Sequence, residues 1–143
     1  MIEPTGVEVR LATSRHDLQL AAEAQNNAYG VATTAHDVDR LQSTLDRGGL
    51  VAVAVDLVDT CGVGAGLCAP PHGGISELAA IGVRASHRRR GIAAALTSVL
   101  TRACPRVGIT TPFLTPAGES EGRICRSVGY RDATTMLHIS RPA

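Results

Sequence analysis

Arg88-Arg89-Arg90-Gly91-Ile92-Ala93-Ala94 concentrates in one short stretch the groups that bind an anion. Three guanidinium groups supply formal charge and forked donors suited to phosphate. Gly91 lets a phosphate come close to the backbone, and Ala93 is nearly as small. A helix starting here leaves its first-turn amides without intrahelical partners, and its dipole adds partial positive charge. The plainer alternative is a solvated surface turn, although the run opens directly onto a helical pattern. Upstream, Glu77 is the single acid in the apolar stretch from Ile75 to Val83. Burial there would raise its pKa toward the range useful for taking a proton near neutral pH. The competing reading pairs that carboxylate with one of the arginines at a strand edge.

These groups need a strand before them and a helix after them. Ile75 to Arg84 reads as the strand. From Gly91 to about Ala103, Ile92, Leu96, Val99 and Ala103 recur at helical spacing, with Thr97, Ser98, Thr101 and Arg102 off that stripe. Pro105 stops the helix. Earlier in the chain, Val7, Val9 and Leu11 alternate with Glu8 and Arg10 as a half-exposed strand. Ser14-x-x-Asp17 starts a helix running to about Asn27. Thr34-x-x-Asp37 starts a second helix, with Val38, Leu41 and Leu45 on one face and Gly48-Gly49 closing it. Leu50 to Val58 and Gly62 to Cys68 read as strands joined at Asp59-Thr60. Pro70, Pro71, Gly73 and Gly74 make a loop before the central strand. Val107 to Leu114 is a further apolar strand broken by Pro112. A last helix is expected from Gly118 to Val128 with Gly129 as its C-cap, then final strands between Tyr130 and Ser140.

Arg88-x-x-Gly91-x-Ala93 after a strand resembles the pyrophosphate-binding motif of the GNAT acyl-CoA N-acyltransferase family. The order of elements agrees over roughly residues 8–140, as do Glu77 ahead of the motif and Gly129-Tyr130 after the later helix. The resemblance implies an α/β (α+β) fold: a mixed, largely antiparallel sheet flanked by about four helices, with two on one side and the motif helices on the other. It implies one acetyl-CoA-dependent N-acetyltransferase domain over residues 1–143, moving acetyl to an amine by direct attack in a ternary complex. Arg88, Arg89, Arg90, Gly91, Ile92, Ala93 and Ala94 would hold the pyrophosphate. The backbone of Ile81, Gly82 and Val83 would pair with the pantetheine arm. A bulge would part this strand from its parallel neighbour, and one backbone N–H would polarise the thioester carbonyl. Glu77 would accept the amine proton, directly or through water.

Cys125 departs from the family pattern. Many relatives carry a tyrosine there to protonate the leaving thiolate. A thiol can donate a proton too, with a shorter reach, or Cys125 simply fills space as free cysteine often does. The family's acceptor site corresponds here to Asn26 and Tyr29, with Asn27, Thr33, Thr34 and His36 nearby. Those residues bind a substrate or cap helices, and both readings stand. A homodimer is also compatible with the resemblance.

Composition limits the other choices. With 143 residues, 44% of them hydrophobic, the chain suits one globular domain. Aromatic residues are only Tyr29, Phe113 and Tyr130, too few to stack single-stranded nucleic acid. A net charge of +1 leaves no general attraction to nucleic acid or anionic membrane. All 14 basic residues are arginine, which excludes a lysine nucleophile or Schiff base. Cys61, Cys68, Cys104 and Cys125 form no Cys-x-x-Cys pair and no zinc spacing, so no metal is expected and the thiols read as reduced and cytoplasmic. His87, one of five dispersed histidines, reads as a turn residue and not a ligand. The start of the chain has no basic region or apolar run of a leader, and Leu50 to Val58 is too short for a membrane span. The rival from another class is a non-catalytic acyl-CoA-binding or regulatory domain that kept the groove without turnover. The acceptor itself is not legible.

Overall fold

The computed structural model describes residues 4–28, 35–114, 131–132 and 139–140. Among them lie β1 (Val7–Leu11), α1 (Arg15–Ala28), α2 (Ala35–Asp46), β2 (Leu50–Asp56), β3 (Gly62–Cys68), β4 (Ile75–Val83), α3 (Ile92–Ala103), β5 (Thr111–Leu114), β6 (Arg131–Asp132) and β7 (Ile139–Ser140). The sheet order is β1-β2-β3-β4-β5-β7-β6. Every pairing is antiparallel except β4 with β5. The fold is therefore the mixed, largely antiparallel α/β sheet expected. Three α-helices occur among the described residues; the fourth, expected at 118–128, lies outside them.

β2 shows how the layers form. Leu50, Ala52 and Ala54 pack in one apolar cluster with Ile92, Leu96 and Leu100 of α3. Val51, Val53 and Val55 pack in the other with Leu18, Ala21, Val38 and Leu41 of α1 and α2. A strand whose successive side chains alternate in direction is thus covered on both faces, which is why it reads as a continuous apolar run. β3 answers with small residues. A Cβ on Gly64 would stand 3.1 Å from Ile92 Cγ2 and 3.2 Å from Leu96 Cδ1. One on Gly66 would stand 2.8 Å from Ile81 Cγ1 and 3.3 Å from Leu100 Cδ1. The missing side chains let α3 lie close on the sheet.

The helix starts are local chemistry. The Asp17 N–H donates to Ser14 Oγ (3.1 Å), the capping expected from that spacing. Asp17 is itself buried, and burial alone would push its carboxyl up. The Arg10 guanidinium at 2.8 Å and the Thr13 N–H at 3.1 Å outweigh that and hold it below the usual carboxylate range. The cap that Thr34 would give α2 lies outside the described residues.

Three expectations are corrected. β2 stops at Asp56, not Val58, because Asp56 Oδ1 captures the Val58 and Asp59 N–H groups (2.8 and 3.0 Å) and turns the chain. The stretch from Val107 is a strand only from Thr111: Cys104–Val107 forms a 3-10 turn on Pro105, closed by Gly108 at φ 79°. On α3, Thr97, Ser98 and Thr101 are buried, whereas Val99 is half-buried. Thr97 and Thr101 satisfy their hydroxyls on the carbonyls of Ala93 (2.8 Å) and Thr97 (2.7 Å), so two polar residues can enter the core.

Candidate functional site

β4 carries the site's first part. Its antiparallel ladder with β3 slips between Ala65 and Leu67, so that Ala80 and Ile81 together oppose Gly66. A bulge was expected on this strand as what parts it from its parallel neighbour; the one observed lies in the ladder with β3. Ala80 sits at φ 55°, a conformation that costs a non-glycine residue about 1–2 kcal/mol. One compensation is visible: Gln25 of α1 donates Nε2–H to the Ala80 carbonyl (3.1 Å). The extra residue also resets alternation, so Leu78 and Ile81 both pack in the α3 cluster and Ala80 is left exposed.

Glu77 is the last β4 residue in the described parallel ladder, opposite Phe113. How β4 and its parallel neighbour part beyond that point involves residues outside those described. The Glu77 side chain is half-buried, less enclosed than an apolar strand suggested. It has no hydrogen bond or ion pair among the described residues, so the expected alternative of an arginine partner is not seen there.

The loop to α3 supplies the second part. Ala85–His87 makes one 3-10 turn, and Arg88, Arg89, Arg90 and Gly91 follow, all exposed. Arg89 (φ 64°) and Gly91 (φ 80°) are both left-handed. No side chain caps α3, and its first helical bond runs from Ala95 N–H to the Gly91 carbonyl (3.0 Å). The N–H groups of Ile92, Ala93 and Ala94 thus have no intrahelical partner. Among the described residues, no atom beyond the adjoining chain lies within 4 Å of where a Gly91 Cβ would be. Arg88 donates Nε–H to the Val83 carbonyl (3.1 Å), while Arg89 and Arg90 have no hydrogen bond or ion pair among the described residues. An open, uncapped helix start flanked by unengaged guanidinium groups is an anion cradle.

The other candidates fare differently. Asn26 donates Nδ2–H to Asp37 Oδ2 (3.0 Å), joining α1 to α2. His36 is exposed on α2. Tyr29, Thr33, Thr34 and Cys125 lie outside the described residues. Among the described residues, no group of three or more His, Cys, Asp and Glu could hold a metal, and no helix is long and apolar enough to cross a membrane. Two residues escaped the sequence reading. Gln25 carries no signal for its role, since its partner is a backbone oxygen on a bulge. His87 was expected in a turn and is in one, yet its Nε2 also reaches Asp56 Oδ2 at 2.9 Å, across 31 positions of sequence.

The profile of the acetyltransferase (GNAT) family matches residues 16–121, most of the chain. The chain belongs to the GNAT acetyltransferase family. Among solved structures, a GCN5-related N-acetyltransferase from Kribbella flavida is similar at TM-score 0.71 and 27% identity, over 100% of this chain and 53% of that one. The chain therefore spans about half the length of the Kribbella protein. A ribosomal-protein-S5-alanine acetyltransferase from Vibrio fischeri matches at TM-score 0.70 and 13% identity, over 97% of this chain and 93% of that one. A phosphinothricin acetyltransferase from Sinorhizobium meliloti, solved with AcCoA, matches at 0.70 and 18%, over 95% and 86% of the two chains. At such identities the last two show the fold alone. Among curated proteins none matches significantly. The matched span includes Arg88 to Ala93, the stretch that opens α3.

Proposed function

We propose that this GNAT chain is, as one domain, an N-acetyltransferase that moves acetyl from acetyl-CoA to an amine. The observation that carries the reading is the uncapped start of α3 at Gly91, where among the described residues nothing crowds the glycine and neither Arg89 nor Arg90 has a partner. A pyrophosphate fits that cradle: backbone donors of Ile92, Ala93 and Ala94 meet its oxygens, and the arginines of Arg88 to Arg90 balance its charge. The backbone of Ile81, Gly82 and Val83, just past the bulge, would align the pantetheine arm.

The reaction needs little else from the protein. A neutral amine attacks the thioester carbonyl, a C–N bond forms, and a backbone N–H of β4 beyond the bulge would meet the oxyanion. The C–S bond then breaks and coenzyme A leaves as thiolate. The amine proton passes to Glu77, directly or through water, which a half-buried carboxylate with no partner among the described residues can accept. Cys125 is the candidate proton source for the thiolate. Asn26 and Tyr29 are candidates for the acceptor pocket.

The test is a calorimetric titration with acetyl-CoA followed by an amine screen for free thiol. Micromolar binding with amine-dependent release, lost in Glu77→Gln while affinity is kept, supports the transferase. Binding without release from any amine favours a non-catalytic acyl-CoA-binding domain. No binding removes both.

A further inference from the structure

The loop that forms the anion cradle holds two left-handed residues and has little side-chain packing of its own. Between Val83 and Ile92 only Arg84 and His87 are not fully exposed apart from the loop itself. Arg84 ties the end of β4 to β3, its N–H on the Val63 carbonyl (2.7 Å) and its Nε–H on the Gly62 carbonyl (2.7 Å). His87 is the last anchor before the cradle. Its side chain is 13% exposed and meets Asp56, 15% exposed, at 2.9 Å.

Each atom in this contact is used. Nε2 of His87 faces Asp56 Oδ2, while Nδ1 faces Ser86 Oγ at 2.7 Å. With Nε2–H donating to the carboxylate, Nδ1 is placed to accept the Ser86 hydroxyl proton, and no ring nitrogen is left over. The other oxygen of Asp56 holds the Val58 and Asp59 N–H groups of the β2–β3 turn. Asp56 is thus fixed from one side by the hairpin and fixes His87 on the other. Two residues later Arg89 takes its left-handed conformation, which persists only where surrounding contacts impose it.

From this we infer that His87 is a positioning residue for cofactor binding: by locking the 3-10 turn onto Asp56, it pre-shapes the loop Arg88–Gly91 and the α3 start. This rests on the acyl-CoA reading of that loop. It touches no reacting atom, so its effect belongs to affinity and not to the chemical step. Pre-formed loops bind more tightly because less ordering remains to be done on binding.

His87→Leu keeps the bulk and removes both contacts, and His87→Gln returns a donor toward Asp56. Two readouts separate the questions: amide hydrogen exchange across residues 88–95 without ligand, and acetyl-CoA affinity with kcat at saturation. The expected result for His87→Leu is faster exchange in that segment and acetyl-CoA affinity about tenfold weaker, the factor matching 1.4 kcal/mol. Turnover at saturation stays within about twofold by the same arithmetic, and His87→Gln recovers most of both losses. Unchanged exchange, or lost turnover with unchanged affinity, overturns the inference. If wild-type protein binds no acetyl-CoA, the acyl-CoA reading falls, while the exchange arm still decides whether His87 orders the loop. Should His87→Leu not fold, Asp56→Asn decides, since it keeps an oxygen for the hairpin turn while removing the carboxylate that holds His87.

Discussion

Gly91 offers the cleanest separation of protein stability from ligand binding. Its φ of 80° and ψ of 10° are left-handed, so a Cβ costs about 1–2 kcal/mol for an ordinary L-residue. The surrounding residues add no steric penalty, because among the described residues none beyond the adjoining chain lies within 4 Å of that Cβ. Gly91→Ala should therefore lower the melting temperature by only about 3–8 °C at this chain length. Asparagine tolerates the left-handed region better, so Gly91→Asn should cost less stability than Gly91→Ala. For ligand binding the order reverses. The longer asparagine side chain projects into the space where a pyrophosphate would approach, and acetyl-CoA affinity should fall at least tenfold, or about 1.4 kcal/mol. Differential scanning calorimetry and isothermal titration on wild type and both variants give the two orderings directly. If Gly91→Asn binds acetyl-CoA as tightly as wild type, the open space at Gly91 is not where the cofactor lies.

Four further outcomes follow from contacts described above. Gln25→Ala removes the donor to the Ala80 carbonyl and should cost about 0.5–1.5 kcal/mol in urea unfolding, with turnover falling as the bulge loosens. Asp56 lies at about 2, chiefly through its hydrogen bond with His87 and then the Asp59 and Val58 N–H groups; its depressed value means stability present above the ordinary carboxylate range and lost as pH falls toward 2. The stability gap between wild type and Asp56→Asn should accordingly close between about pH 4 and pH 2, followed by urea midpoints. Asp17→Ala removes the acceptor of the Thr13 N–H and leaves Arg10 with Glu8 alone (3.2 Å), and should destabilise by about 1–3 kcal/mol in the same assay near neutral pH. The Cys68 thiol, pushed up by the adjacent Cys104 sulfur at 3.9 Å and by burial, should resist a thiol reagent until global unfolding, whereas half-buried Cys61 reacts in the native state.

What could be read from sequence were features whose cause is local. Ser14 three residues before Asp17 announced a helix start, and Asp59-Thr60 between two apolar runs announced a hairpin. Arg88 to Ala93 announced an anion site because charge, glycine and helix periodicity fall within a few residues. The rest depends on partners distant in sequence. A bulge on β4 was expected only through the family resemblance, since an alanine gives no hint of a positive φ and the slip shows only against Gly66. Gln25 and Ala80, like Asp56 and His87, meet only because α1 and the β2–β3 hairpin fold against β4 and its following turn. Thr97 and Thr101 looked like surface residues because composition cannot show a hydroxyl bonded within its own helix.

The glycines of β3 set a tolerance on the site as a whole. Gly64 and Gly66 support Ile92 and Leu100, and Ile92 is the first residue of α3. The height of that helix above the sheet is governed by side chains that are absent. A single methyl at Gly64 makes Ile92 and Leu96 give by a few tenths of an ångström, whether their side chains turn or the helix start shifts with its amide donors. The same methyl would stand 3.3 Å from the Gly82 carbonyl oxygen of β4, so it presses on the strand as well as on the helix. The spacing between β4 and the start of α3 is therefore set in very small steps from one buried position on the strand between them.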